Sequence, residues 1–189
     1  MIHEVFSFLK DQLGQYLRQH DVLQEDRVVF REKDKAELSF ANNAVTLLLI
    51  NIEEENTLRP DAPYLQTRKD GTRVSVNPEI RLNLYILFVA RFSDYGESLK
   101  YLSCIIRFFQ SNRVFTHDTF PGLSENVDRL VMELVTLPFA AQNEIWNGLK
   151  AGYEPSALYK VKMVIFEDEE PESLATVSDL DLRIKGFTG

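Results

Sequence analysis

The sequence predicts a two-layer α+β domain with a mixed, mainly antiparallel sheet of about four main strands. Three observations carry this. Residues 79–92, EIRLNLYILFVARF, alternate apolar and polar side chains in the period of a strand. Residues 2–20 and the stretch after Asp94 repeat apolar side chains every three or four positions, the period of a helix. The order helix, strand, long loop, strand, helix, strand, helix, strand lets the first two long strands pair while later helices cross one face.

Taken in order, Ile2, Val5, Phe6, Leu9, Leu13, Tyr16 and Leu17 give the first helix one apolar stripe. RVVF at 27–30 is a short apolar piece before the charged loop REKDKAE. NAVTLLLINIE at 43–53 is apolar on both faces in its middle, as a sandwiched strand is. Residues 56–78 carry three prolines and the turn dipeptide Asp70-Gly71, which predicts a long exposed connection with a small hairpin at its tip. In the next strand Ile80, Leu82, Leu84, Ile86, Phe88, Ala90 and Phe92 share a face. Asp94 and Glu97 make a capping-box-like start to a helix whose expected stripe is Leu99, Leu102, Ile106 and Phe109. RVFTHDTFPGLSEN is an irregular connector, and VDRLVMELVT at about 127–136 is a strand. Pro138 suits the first turn of a short helix that stops at Gly152. ALYKVKMVIFED at 157–168 is the last strand. Residues 1–168 thus form one domain, and 169–189 read as an extended tail.

A chain of 189 residues buries roughly 70% of its unfolded surface, enough for a core of its own. Acidic residues outnumber basic ones, 29 to 21, for a net charge of −8. That argues against a general nucleic-acid binder, which needs concentrated Lys and Arg to displace phosphate counterions. No run approaches the roughly 20 apolar residues of a membrane span, so no membrane partner is expected. The N-terminus lacks the basic lead and small-residue cleavage site of a signal peptide, so folding in the cytosol is expected. Cys104 is the single cysteine and excludes an internal disulfide; its apolar helical setting reads as a small buried hydrophobe.

Catalytic signatures are absent. There is no glycine-rich phosphate loop, no dinucleotide fingerprint and no Gly-x-Ser-x-Gly elbow, and His3, His20 and His117 lie in three separate segments. The remaining candidate is the run Glu53, Glu54, Glu55 that ends the first long strand. Alternation puts Glu53 and Glu55 on one side and Glu54 on the other. Two same-side carboxylates could bind a hard divalent ion, but octahedral or seven-fold sites need more oxygen ligands than these two; the readings are a metal site, a solvated rim, or a protein–protein contact. Arg59, Tyr64 and Arg68 in the long connection are side chains favoured at binding hot spots.

Several stretches in order, MIHEVFSFL…LGQYL, LLINIEEENTLR…PY, VNPEIRLNLYILFVARF, YGESLKYLSCIIRFFQSNRVFT, LVMELVTLPFAAQNEIWNGL and YEPSALYKVKMV, resemble the tube-terminator or cap proteins of extracellular contractile injection systems. These are phage-tail-like particles of the antifeeding-prophage and virulence-cassette type. The resemblance runs from residue 1 to about 164 and implies a phage tail-terminator-like α+β fold. It also implies a structural, non-enzymatic subunit without cofactor or metal. Such a subunit forms a six-fold homo-oligomeric ring that closes the inner tube, contacts the sheath, and assembles in the cytoplasm into a particle that can be released. On that basis Glu53, Glu54, Glu55, Arg59, Tyr64 and Arg68 are the expected subunit, tube or sheath contacts. Lys150 departs from the family pattern, which has glycine there. The alternatives are a metal-dependent hydrolase built on Glu53 and Glu55 with His117, or a monomeric acidic adaptor.

Overall fold

The computed structural model describes residues 1–20, 27–31, 39–55, 64–67, 73–76 and 81–165. The charged loop 31–37 (beyond residue 31), Asp70-Gly71, Arg59, Arg68 and the tail 169–189 lie outside the described residues. Two compact units are present, Met1–Leu58 with Glu79–Phe166, and Arg59–Pro78 with Glu167–Gly189.

In the first unit, helix α1 spans Ile2–His20 and buries Val5, Phe6, Phe8, Leu9, Leu13 and Leu17. Five of these are on the expected stripe; Phe8 widens it, meeting Phe115 edge-on at 5.4 Å. Strands β1 (Val28–Phe30), β2 (Ala44–Glu54) and β5 (Arg81–Arg91) follow; β3 (Tyr64–Thr67) and β4 (Arg73–Val76), between the last two in sequence, belong to the second unit. The first two long strands pair as expected: β2 and β5 run antiparallel from Ala44↔Arg91 to Glu54↔Leu82, with a bulge between Leu49 and Asn51.

The sheet is completed by β6 (Val114–Thr116), β7 (Val127–Val135) and β8 (Ser156–Ile165), in the order β1-β2-β5-β8-β7-β6. Only β1–β2 is parallel among these neighbours. The expected α+β class and mixed sheet are therefore present. Four long strands form its middle, and a three-residue strand sits on each edge. Strand β6 lies where an irregular connector was expected. Its anchor is Phe115, fully buried against Phe8 and Phe120. A single inward aromatic on a three-residue strand leaves no periodicity for sequence reasoning to find.

Helix α2 spans Tyr95–Ser111 with Asp94 as N-cap, its carboxylate accepting from the Gly96 N–H at 2.9 Å. The expected stripe is corrected by about one residue: Ser98, Tyr101, Ile105, Phe108 and Phe109 are buried, while Leu99 is 43% exposed. One residue is about 100° of helix rotation. The cause lies at the helix start, where the Ser98 hydroxyl accepts from the Phe92 N–H at 3.1 Å and Tyr101 stacks on Phe92 at 4.1 Å.

Alternation along β5 divides the interior. Leu84, Ile86, Phe88 and Ala90 join α1, α2 and Tyr159, Val161 and Met163 of β8 in the main core. Leu87 and Val89 face the other way, into a smaller cluster with Phe40, Leu48, Leu158 and Trp146. Trp146 belongs to helix α3, Phe139–Leu149. The expectation that both later helices cross one face holds for α2 only; α3 covers part of the opposite face. Pro138 stands just outside α3 as its N-cap, and the helix ends at Lys150, before Gly152.

The described part of the second unit is a hairpin, β3 (Tyr64–Thr67) against β4 (Arg73–Val76), in register from Tyr64↔Val76 to Thr67↔Arg73. The small hairpin expected in the long connection is present as β3 and β4; its expected tip, Asp70-Gly71, lies outside the described residues.

Candidate functional site

Among the described residues, α3 covers only the end of its sheet face near Leu48, Leu87 and Leu158, and no helix covers the rest. Its exposed end is polar on all four long strands. Glu53 comes from β2 and Glu55 from just past its end, Asn83 and Tyr85 from β5, Lys160 and Lys162 from β8, and Glu133 from β7. Strand register brings them together, pairing Glu53 with Asn83, Tyr85 with Lys160, Asn83 with Lys162, and Glu133 with Lys160.

Each contact is local and satisfied. The Tyr85 hydroxyl donates to Glu53 Oε2 at 2.8 Å, and the Asn83 amide donates to Glu55 Oε2 at 3.3 Å. Asn83 is buried, so this bond spares its amide an unpaired position in the sheet. The Lys160 ammonium lies 5.8 Å from the centre of the Tyr85 ring, and Lys162 pairs with Glu133 at 2.8 Å. The hydrogen bond to Glu53 raises the Tyr85 pKa, helped by burial and by the charges of Glu53 and Glu133. A tyrosine held protonated against a carboxylate is a poor base and a poor nucleophile. The alternation of acid, tyrosine, lysine and acid across the strands is a polar surface of mixed charge, with three carboxylates against two ammonium groups.

Glu53 and Glu55 share one side of β2, as strand alternation requires; Glu53 and Glu54 are exposed and Glu55 is half-buried. Tyr64 opens β3, and its side chain, like Arg59 and Arg68, lies outside the described residues. Sequence reasoning missed Asn83, Tyr85, Lys160, Lys162 and Glu133 as partners of the glutamates. The available signal was the polar set at alternate positions of two otherwise apolar strands.

The hydrolase alternative finds no support in this arrangement. His117 follows β6, and β5, β8 and β7 separate β6 from β2, a span of roughly 19 Å at about 4.8 Å per strand step. Its Nε2 lies 2.9 Å from the Val127 carbonyl, within the β6–β7 connection. No group of three or more His, Cys, Asp or Glu side chains suited to a metal ion occurs among the described residues. Among the described residues, an apolar cleft beside α3, with Leu134, Leu137, Ile145 and Trp146 in its lining, is lined by no titratable side chain. Cys104 is half-buried against the main core.

Comparison with known proteins completes the picture. A solved structure described as the sheath/tube terminator, in the extended state, of the extracellular contractile injection system PVC superposes with a TM-score of 0.61 at 16% identity. The match covers 100% of this chain and 64% of that one. The tube-terminating cap of the anti-feeding prophage matches with a TM-score of 0.53 at 14% identity, over 93% of this chain and 60% of that one. The chain thus spans less than two thirds of either solved protein, and at these identities the likeness establishes a shared fold. No curated protein matches the chain. The family described as the Pvc16 N-terminal domain matches residues 4–178. Nearly the whole sequence is included in that match, and the chain belongs to the Pvc16 N-terminal domain family.

Proposed function

We propose that this chain is a structural subunit that closes the end of the inner tube of a phage-tail-like contractile injection particle, as a ring of six copies touching tube and sheath. The observation that supports this best is the fold match, over 93–100% of the chain, to a sheath/tube terminator and to a tube-terminating cap, in a chain that belongs to the Pvc16 N-terminal domain family. The polar sheet face agrees with it: its carboxylates are held by Tyr85, Asn83 and Lys162, and it carries no acid–base constellation among the described residues, which suits contact rather than chemistry. We assign the contacts to Glu53, Glu54 and Glu55 together with Arg59, Tyr64 and Arg68. In this reading the chain is not an enzyme, and it acts in the assembled particle, before and after release.

Particles assembled with and without the chain test this. With it, tube lengths are expected to be uniform and ends closed; without it, lengths scatter and ends stay open. Uniform, closed tubes in its absence overturn the reading. Replacing 58–75 by a short Asn-Gly hairpin tests the contacts in the long connection. The shortened chain should fold, because loop length alone changes stability little. It should fail to close tubes, and normal closure would place the contact elsewhere.

A further inference from the structure

The two edges of the six-stranded sheet are stepped in opposite senses. On one side β1 covers β2 only at Val45–Leu47, so among the described residues no strand lies outside Leu48–Glu54. On the other side β6 covers β7 only at Arg129–Val131, and the Met132 N–H donates to the Arg113 carbonyl just before β6. Register across the sheet shows where these steps fall. Glu53 stands in one row with Asn83, Lys162, Val131 and Val114, and Glu54 with Leu82, Met163, Leu130 and Phe115. Strand β7 ends at Val135, in the row of Leu158, Leu87 and Leu48, just short of the rows that β1 covers. The short strands therefore occupy opposite ends of their edges. Four antiparallel steps separate β2 from β6, so the two run in the same direction.

A second copy set beside the first would bring its β6 to the uncovered end of β2, where β1 leaves room. Charge matches as well. Glu53 and Glu54 are exposed on the β2 side, while Arg113 and Arg129 are exposed beside β6. Asp118 follows β6 and Asp128 precedes Arg129 on β7, both at the end of the edge away from Arg113. Exposed Leu49 and Ile52 on one edge and Val114 on the other add apolar area, which a solitary edge strand ordinarily avoids.

We propose that the two sheet edges meet between copies, the β6 edge of one, with Arg113 and Arg129, running parallel to the end of β2 in the next, opposite Glu53 and Glu54. Two different patches joined in this way form a heterologous contact, the kind that closes a ring. The inference rests on the ring reading above and adds which surfaces form the joint.

The test uses inner tubes of the particle and a Glu53→Cys, Val114→Cys double variant. Within one copy these positions are roughly 19 Å apart, four strand steps, beyond the ~7 Å limit of a disulfide. Oxidation on tubes should give covalent oligomers that a reductant dissolves, and neither single cysteine variant should give them. Separately, Glu54→Arg and Arg113→Glu should each weaken tube closure at least about tenfold through like-charge contact, and the combined swap should restore it. Wild-type closure with no cross-linked ladder and no loss in either charge variant overturns the edge contact and leaves the capping reading standing. A wild-type chain that does not close tubes overturns both.

Discussion

Lys150 closes α3 with φ 53° and ψ 37°, a left-handed conformation that costs a side chain with a Cβ about 1 kcal/mol or more. A glycine, which the resemblance implies at this place, would adopt that conformation without the strain. Lys150→Gly relieves the strain but gives the unfolded chain more freedom, so a net gain of roughly 0.5–1 kcal/mol is expected in denaturant melts. Unchanged or lower stability would mean the lysine stem makes a compensating contact. Tyr159, packed at 4.8 Å from Phe109, has its pKa raised to about 12 by burial. The unfolded tyrosine ionises near 10. Stability is therefore whole below pH 10 and falls as pH rises from 10 through about 12, by on the order of 2–3 kcal/mol. Tyr159→Phe should flatten that alkaline loss; an identical pH profile would refute the assignment. At this scale the sequence was half legible. The glutamate run was visible, but Asn83 and Tyr85, which hold Glu55 and Glu53, are some 30 positions away and were placed only by strand register.

Elements with long, single-period patterns were the readable ones. Strand β5 alternates without a break and α1 carries seven apolar residues in helical phase, so both lie where the sequence puts them. Helix α2 was found but turned, because Leu99 and Leu102 drew the stripe while Ser98, Tyr101 and Phe108 were passed over. A buried serine and two aromatics held by β5 and α1 contacts decided its phase, and those contacts are tertiary. Paired variants read this phase directly. Ile105→Ala, at a fully buried site, should cost about 2–5 kcal/mol, whereas Leu99→Ser should stay within roughly 0.5 kcal/mol. The reverse order in urea titrations would restore the stripe through Leu99. Helix α3 is where the sequence predicts it, but the face it covers is not legible, for a related reason. Its apolar residues are few, and only Trp146 in the second cluster fixes which face it covers.

For the whole molecule, a main core that joins α1, α2 and four long strands lies within one copy, so each subunit should fold before it assembles. Fold class was legible because it follows from element order, and pairing of β2 with β5 followed from their adjacency. The stepped edges were not, since they depend on two three-residue strands that carry little pattern of their own. The central claim is that this chain closes the end of a tube, and imaging tube ends tests it most directly. Inner tubes incubated with the purified chain and viewed by cryo-electron microscopy should carry six-fold density at one end only, with bare walls. Bare ends, or chain scattered along the tube walls, would contradict it.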